Sequence, residues 1–163
     1  MELFSLIILL FIFAIFLEKL KKSFPDKPKP KKHYQNETVN RKLKGDKYEK
    51  YIAKVYRHNG FRVWEHGLEK GYKDLGIDLV AYKNNSVILI QCKDWQEKGR
   101  WRISVKHIKK LESDANNFLD KNRDLNHKNI YLKYIISGNF INSNAIEYIN
   151  SKSYLSYQVI KKT

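Results

Sequence analysis

The sequence predicts an α/β domain, a mixed central sheet flanked by helices. A helix-spaced set (Tyr48, Tyr51, Ile52, Val55 and Tyr56) is followed by three strand-like runs, and the longest of these, Ser86 to Lys93, is an apolar run that ends in the polar Gln91 and Lys93. Helical and strand-like runs then alternate to the end of the chain. The resulting order is αβββαβ, then αβ.

The first helix runs from about Leu43 to His58, where Asn59-Gly60 stops it. Strands follow at Phe61 to Glu65, Ile77 to Lys83 and Ser86 to Lys93, and Asn84-Asn85 between the last two suits a tight hairpin turn. A loop carrying Trp95, Arg100 and Trp101 leads to a second helix, Ser104 to Leu119, whose apolar stripe is Val105, Ile108, Leu111, Ala115, Phe118 and Leu119. Ile130 to Ser137 forms the fourth strand. Asn142 or Ser143 caps a short helix bearing Ala145, Ile146 and Ile149, and Tyr154 to Ile160 is the last strand.

At 163 residues the chain has room for one domain with a core of its own. Its 32 Lys+Arg against 17 Asp+Glu leave a net charge of +15, while a hydrophobic content of 42% is too high for a disordered basic tail. A single cysteine, Cys92, excludes an internal disulfide framework and a cysteine-based zinc site. Such a charge favours a polyanion as partner, either nucleic acid or an anionic membrane surface.

Leu3 to Leu17 is apolar apart from Ser5 and is followed by Glu18, Lys19, Lys21 and Lys22. The run is short against the roughly 20 residues of a spanning helix, but flanking lysines can snorkel and extend its reach. Glu2 in place of a positive charge, with no small-residue cleavage site behind the run, argues for an uncleaved anchor over a signal peptide. The Lys/Pro-rich stretch beyond it reads as a semi-rigid spacer, and its lysines suit anionic headgroups. The expected organisation is an anchor at 1–20, a basic linker at 21–40 and a catalytic domain at 41–163. By the positive-inside rule it is a single-pass membrane protein with its C-terminal domain in the cytoplasm. Residues 34–163 alone keep a balance of +11.

Three elements carry groups with chemical potential. In the strand Ser86 to Lys93, Val87, Leu89, Gln91 and Lys93 share one face, and Ile88, Ile90 and Cys92 the other. Its hairpin partner opens with Asp78, a lone carboxylate in an apolar run, and a buried carboxylate needs a partner or a metal. Glu49 lies beside the apolar stripe of the first helix and can look inward over the sheet. A hard cation such as Mg²⁺, or Mn²⁺ in its place, needs few protein oxygens. Asp78, the Cys92 backbone carbonyl and Glu49 are the expected metal donors, with Lys93 orienting or deprotonating an attacking water. The plainer alternative is an Asp78–Lys93 ion pair with Glu49 solvated.

These residues sit in Gly45-Asp46-Lys47-Tyr48-Glu49, Gly60-Phe61, Asp74-Leu75-Gly76-Ile77-Asp78-Leu79 and Gln91-Cys92-Lys93-Asp94-Trp95. Together they resemble the Mrr-type restriction endonucleases of the PD-(D/E)xK nuclease superfamily, whose pattern is D-x-G-x-D-L followed by Q-C-K-x-W. The resemblance covers about Gly45 to Lys161. It implies a restriction-endonuclease-like three-layer fold and a metal-dependent DNA endonuclease. Asp78 is then the metal carboxylate, Gln91 and Lys93 are the variable and Lys positions of the active-site motif, and Glu49 is the helix carboxylate. Asp74 matches the first Asp of the pattern. Gln91 departs from the acid of most of the superfamily, and of the family's glycine-rich approach only Gly67 and Gly71 remain.

Arg100, Trp101, Arg102 and Lys106 combine charge and aromatic surface at the start of the second helix, which suits phosphate contacts and stacking. The expected partners are DNA, the membrane through the N-terminal helix and a second copy of the chain. The alternatives are a catalytically silent nuclease-like module that binds nucleic acid at the membrane, and a lipid-surface protein. His33, His58, His66, His107 and His127 share no metal-ligand spacing, and Cys92 is expected in the core.

Overall fold

The computed structural model describes residues 32–71, 75–95 and 101–162, together with the isolated positions 13, 15, 18 and 19. Most of the expected anchor and linker, along with Asp74 and Arg100, lie outside the described residues. Residues Met1–Glu37 and Thr38–Thr163 form two compact units. Among the described residues no helix is long and apolar enough to cross a membrane.

Helix α1, Lys32–His58, buries Tyr48, Ile52, Ala53 and Tyr56, which recur along one face. It begins well before the expected Leu43, because Lys32 to Lys42 contains no proline or glycine to stop it. Its end is a Schellman turn. Gly60 takes φ +83°, its N–H donates to Arg57 O (3.0 Å), and the Phe61 N–H donates to Tyr56 O (3.1 Å).

Strands β1 (Arg62–Trp64), β2 (Leu79–Lys83), β3 (Ser86–Lys93), β4 (Asn129–Ile136) and β5 (Leu155–Val159) form one sheet in the order β1-β2-β3-β4-β5. The first two pairings are antiparallel and the last two parallel, so β3 is the seam of a mixed sheet. The β2–β3 hairpin turns at Asn84, whose φ of +53° is a conformation that asparagine tolerates. Helices α3 (Val105–Lys121) and α4 (Ser143–Asn150) make the two crossovers; α2 (His66–Lys70) is one short turn after β1.

The two sheet faces are covered separately. Ile108, Leu111, Ala115 and Phe118 of α3, with Ala145 and Ile149 of α4, share a cluster with Val80, Val87, Leu89 and Tyr134. On the other face, Tyr48, Ile52, Ala53 and Tyr56 of α1 pack with Leu79, Ala81, Ile90, Cys92 and Ile135. This is the expected three-layer α/β arrangement. β3 is buried on both sides, as a central strand should be.

Candidate active site

The chain reaches Asp78 through two consecutive left-handed residues, Leu75 (φ +54°) and Gly76 (φ +71°). A leucine rarely adopts this conformation, and such outliers persist only where the surroundings hold them. The holding contacts come from α2. The His66 ring Nδ1 donates to Ile77 O (2.9 Å), and the Gly67 N–H donates to Asp78 O (2.8 Å). His66 is itself buried, edge-on to Trp64 and Phe118 with centroids 4.6 and 5.1 Å away. From the other side the Asp78 N–H donates to Ile90 O (2.9 Å).

So fixed, the Asp78 carboxylate faces Gln91 and Cys92. Oδ2 accepts from the Cys92 N–H (2.6 Å) and from the Gln91 amide Nε2. Asp78 and Gln91 are both nearly buried, at 6% and 8% exposure. Two neutral donors, an amide N–H and a side-chain amide, thus hold this carboxylate oxygen. Because the Gln91 NH₂ is committed to Asp78, the amide oxygen is left as an acceptor. That gives Gln91 a role compatible with its position in the motif despite the missing charge.

Gly67 links Asp78 to Glu49. A Cβ placed on Gly67 would lie 3.1 Å from Asp78 Cα, 3.3 Å from Asp78 O and 3.3 Å from Glu49 Oε2. The helix carboxylate, the Asp78 backbone and the α2 turn therefore meet at one point. Glu49, Gly67 and Gly71 line a cavity of about 370 Å³, with Lys42 and Asp46 on its rim. At the same strand end, Ser137 N–H donates to Lys93 O (3.0 Å), tying the exit of β3 to β4.

The electrostatics of the neighbouring groups follow from this placement. Burial pushes the Cys92 thiol well above its usual range, and the negative charges of Asp78 and Glu49 push it further while Lys93 opposes them. Cys92 is a buried, protonated core residue. Burial, with Asp78 next, also raises the Tyr134 hydroxyl; Tyr134 lies opposite Gln91 in the β3–β4 register. Lys93 in turn lies close enough to His107 on α3 to help lower its pKa.

A family model described as restriction endonuclease (Mrr_cat) matches residues 40–155. The chain belongs to the Mrr restriction endonuclease family. A search of curated proteins finds no match. The matched span of the Mrr domain takes in Glu49, Gly67, Asp78, Gln91 and Lys93.

The donor set of this Mrr domain suits a hard divalent cation. Asp78 and Glu49 could supply carboxylate oxygens, Cys92 a backbone carbonyl and Gln91 an amide oxygen. Among the described residues no three His, Cys, Asp or Glu side chains gather into one cluster. Mg²⁺ is commonly held by only one or two carboxylates and keeps several waters.

Of the residues expected to contact nucleic acid, Trp101, Arg102 and Lys106 are exposed, Trp101 at 74%. Trp101 leans toward Trp95, centroids 6.4 Å apart, and Trp95 packs on His107 (5.9 Å) and Phe140 (5.7 Å). The backbone behind Trp101 is pinned, since Ile103 is fully buried and its N–H donates to Phe140 O (2.7 Å).

Sequence reasoning missed His66, Tyr134 and His107. It noted Gly67 without its function. Only the signature Glu65-His66-Gly67, with a glycine in a five-residue helix, hinted at a close approach, and its partner is eleven residues downstream.

Proposed function

We propose that the domain is a metal-dependent DNA endonuclease that hydrolyses phosphodiester bonds at the edge formed by Glu49, Asp78, Gln91 and Lys93. The observation that supports this most is the junction at Gly67, where the α1 carboxylate and the Asp78 segment meet beside the end of β3. Asp78, Glu49 and the Cys92 carbonyl would hold the cation, Mg²⁺ or Mn²⁺, which when bound supplies Lewis acidity toward the scissile phosphate. Gln91 fixes the Asp78 carboxylate through its NH₂ and presents its oxygen to water. Lys93 orients the attacking water and offsets phosphate charge. Arg102, Lys106 and Trp101 extend the phosphate-binding surface from the reactive edge.

In a plasmid-nicking assay with Mg²⁺, Mn²⁺ or EDTA, Asp78→Ala and Lys93→Ala should each lower cleavage by at least about a hundredfold, while DNA affinity stays within a few fold. Glu49→Ala should be damaging but less complete. Gln91→Glu should retain or strengthen cation-dependent cleavage. Equal cutting by Asp78→Ala and wild type would overturn the assignment, and DNA binding with no cleavage under any cation would point to a silent binding module.

The same reading places the domain at a membrane, supported by the apolar run Leu3 to Leu17 and the lysines behind it. Full-length protein should remain in the membrane pellet after carbonate extraction. Release into the supernatant would count against the anchor.

A further inference from the structure

At the far end of the α1 face of the sheet lies a second concavity, which the reaction above does not use. On β4 the period of two puts Lys133 on the same face as Ile135, and its register partner on β3 is Ile90. A cation therefore stands in the middle of an apolar surface. Helix α1 covers Ile90 and Ile135 but ends at His58, and beyond it opens a cavity of about 390 Å³ walled by Tyr56, Phe61, Lys83, Lys133, Gln158 and Ile160.

Lys133 is half-buried and its Nζ lies 5.9 Å from the Tyr56 ring centroid, with no carboxylate paired to it among the described residues. Burial lowers its pKa. Lys83 enters the same cavity from β2, with Nζ 5.0 Å from the Phe61 centroid and 2.9 Å from Asn59 O. Among the described residues both ammonium groups have neutral partners, a ring or a carbonyl. Lys133, drawn partly out of water without an anion, is uncompensated, while Lys83 is exposed and adds a second positive charge at the same recess. Two cations in one recess match a doubly charged anion better than the singly charged phosphates of a DNA backbone. The volume lies at the small end of ligand pockets, and the aromatic and aliphatic walls admit a compact organic group.

We propose that this cavity binds a small phosphate monoester between Lys83 and Lys133, with Gln158 as a further hydrogen-bonding group and Tyr56 and Phe61 against the organic part. The site is independent of the nuclease reading, and its test does not involve cleavage.

Thermal unfolding of the full-length chain in detergent with EDTA, at matched ionic strength, is the experiment. The additions are sodium chloride, inorganic phosphate, a nucleoside 5′-monophosphate and the parent nucleoside. Wild type should gain about 5 °C with a phosphate monoester at a hundredfold excess over its Kd. A rise with inorganic phosphate alone identifies free phosphate as the source, and a larger rise with the monophosphate identifies the nucleotide. Lys133→Met should melt no lower than wild type without ligand, since an uncompensated cation has gone, and should lose the rise. Lys83→Met, at an exposed position, should fold and weaken the response. The proposal is overturned if no phosphate compound raises the melting temperature, if the nucleoside does so equally, or if both variants respond like wild type.

Discussion

Gly67 shows how one missing side chain can organise a site. Its amide hydrogen-bonds to Asp78 O, and the space where a Cβ would stand is bounded by Asp78 backbone and Glu49 carboxylate. In Gly67→Ala the Asp78 backbone, tied to Ile90, can give little, so Glu49 and the α2 turn must move. The contacts require a shift of a few tenths of an ångström, less than the roughly 1 Å displacement that costs on the order of a hundredfold in rate. Gly67→Ala should therefore lower kcat for nicking by about tenfold while thermal unfolding changes by only a few degrees. A loss of activity that tracks loss of fold would show that Gly67 serves packing instead. Asp78 and Gln91 were legible in the sequence because each is a polar interruption in an apolar strand. Gly67 was not, because its partner comes from another element and nothing local distinguishes it from a loop glycine.

Among the elements, α3 couples its own start to the site. The Ser104 N–H donates to His107 Nδ1 (3.1 Å), and the Ser104 hydroxyl lies 2.9 Å from the same nitrogen. That bond requires a neutral imidazole. Burial chiefly, then Lys93 and Lys106, holds the His107 pKa below its ordinary 6.5. Below pH 6.5 the unfolded chain takes up a proton that folded His107 refuses, so this contribution to stability is complete above 6.5 and is lost as pH falls toward the lowered folded value. His107→Gln keeps an acceptor at the capping position without titrating. Its melting temperature should fall less than that of wild type between pH 7.5 and 5.5; parallel curves would remove His107 from the acid response.

The elements themselves were unequally visible. Strand β3 was read to the residue because its apolar run Val87 to Ile90 is short and continuous and Asn84-Asn85 marks its start. The α3 stripe stood out because its apolar residues recur at helical spacing. The upstream half of α1 carries no apolar stripe, so periodicity could not reveal it. α2 and the 3₁₀ turn Arg123–Leu125 are too short to show a period.

For the whole molecule, charge is the dominant property. The core is apolar, and among the described residues the ion pairs Lys44–Asp94, Arg57–Glu65 and Lys110–Asp114 each cancel one cation with one acid, so they leave the +11 balance of residues 34–163 in place. It is available for phosphates. DNA binding should weaken steeply with salt, by about a thousandfold between 50 and 200 mM if some six phosphates are neutralised. A flat salt dependence in a filter-binding titration would assign the charge to another partner.

The strand order also governs how the protein loses activity. β3, which carries Gln91, Cys92 and Lys93, has a hydrogen-bonded neighbour on each side, whereas β1 and β5 end the sheet. Fraying starts at edges and costs little there; exposing the β3 amides requires two ladders and both helical layers to part. The Asp78–Cys92 hydrogen bond belongs to the last region to open. Brief excursions of β5, the edge away from Asp78, leave Asp78, Gln91 and Lys93 in register, so heat inactivation should follow global unfolding and not the breathing of that edge.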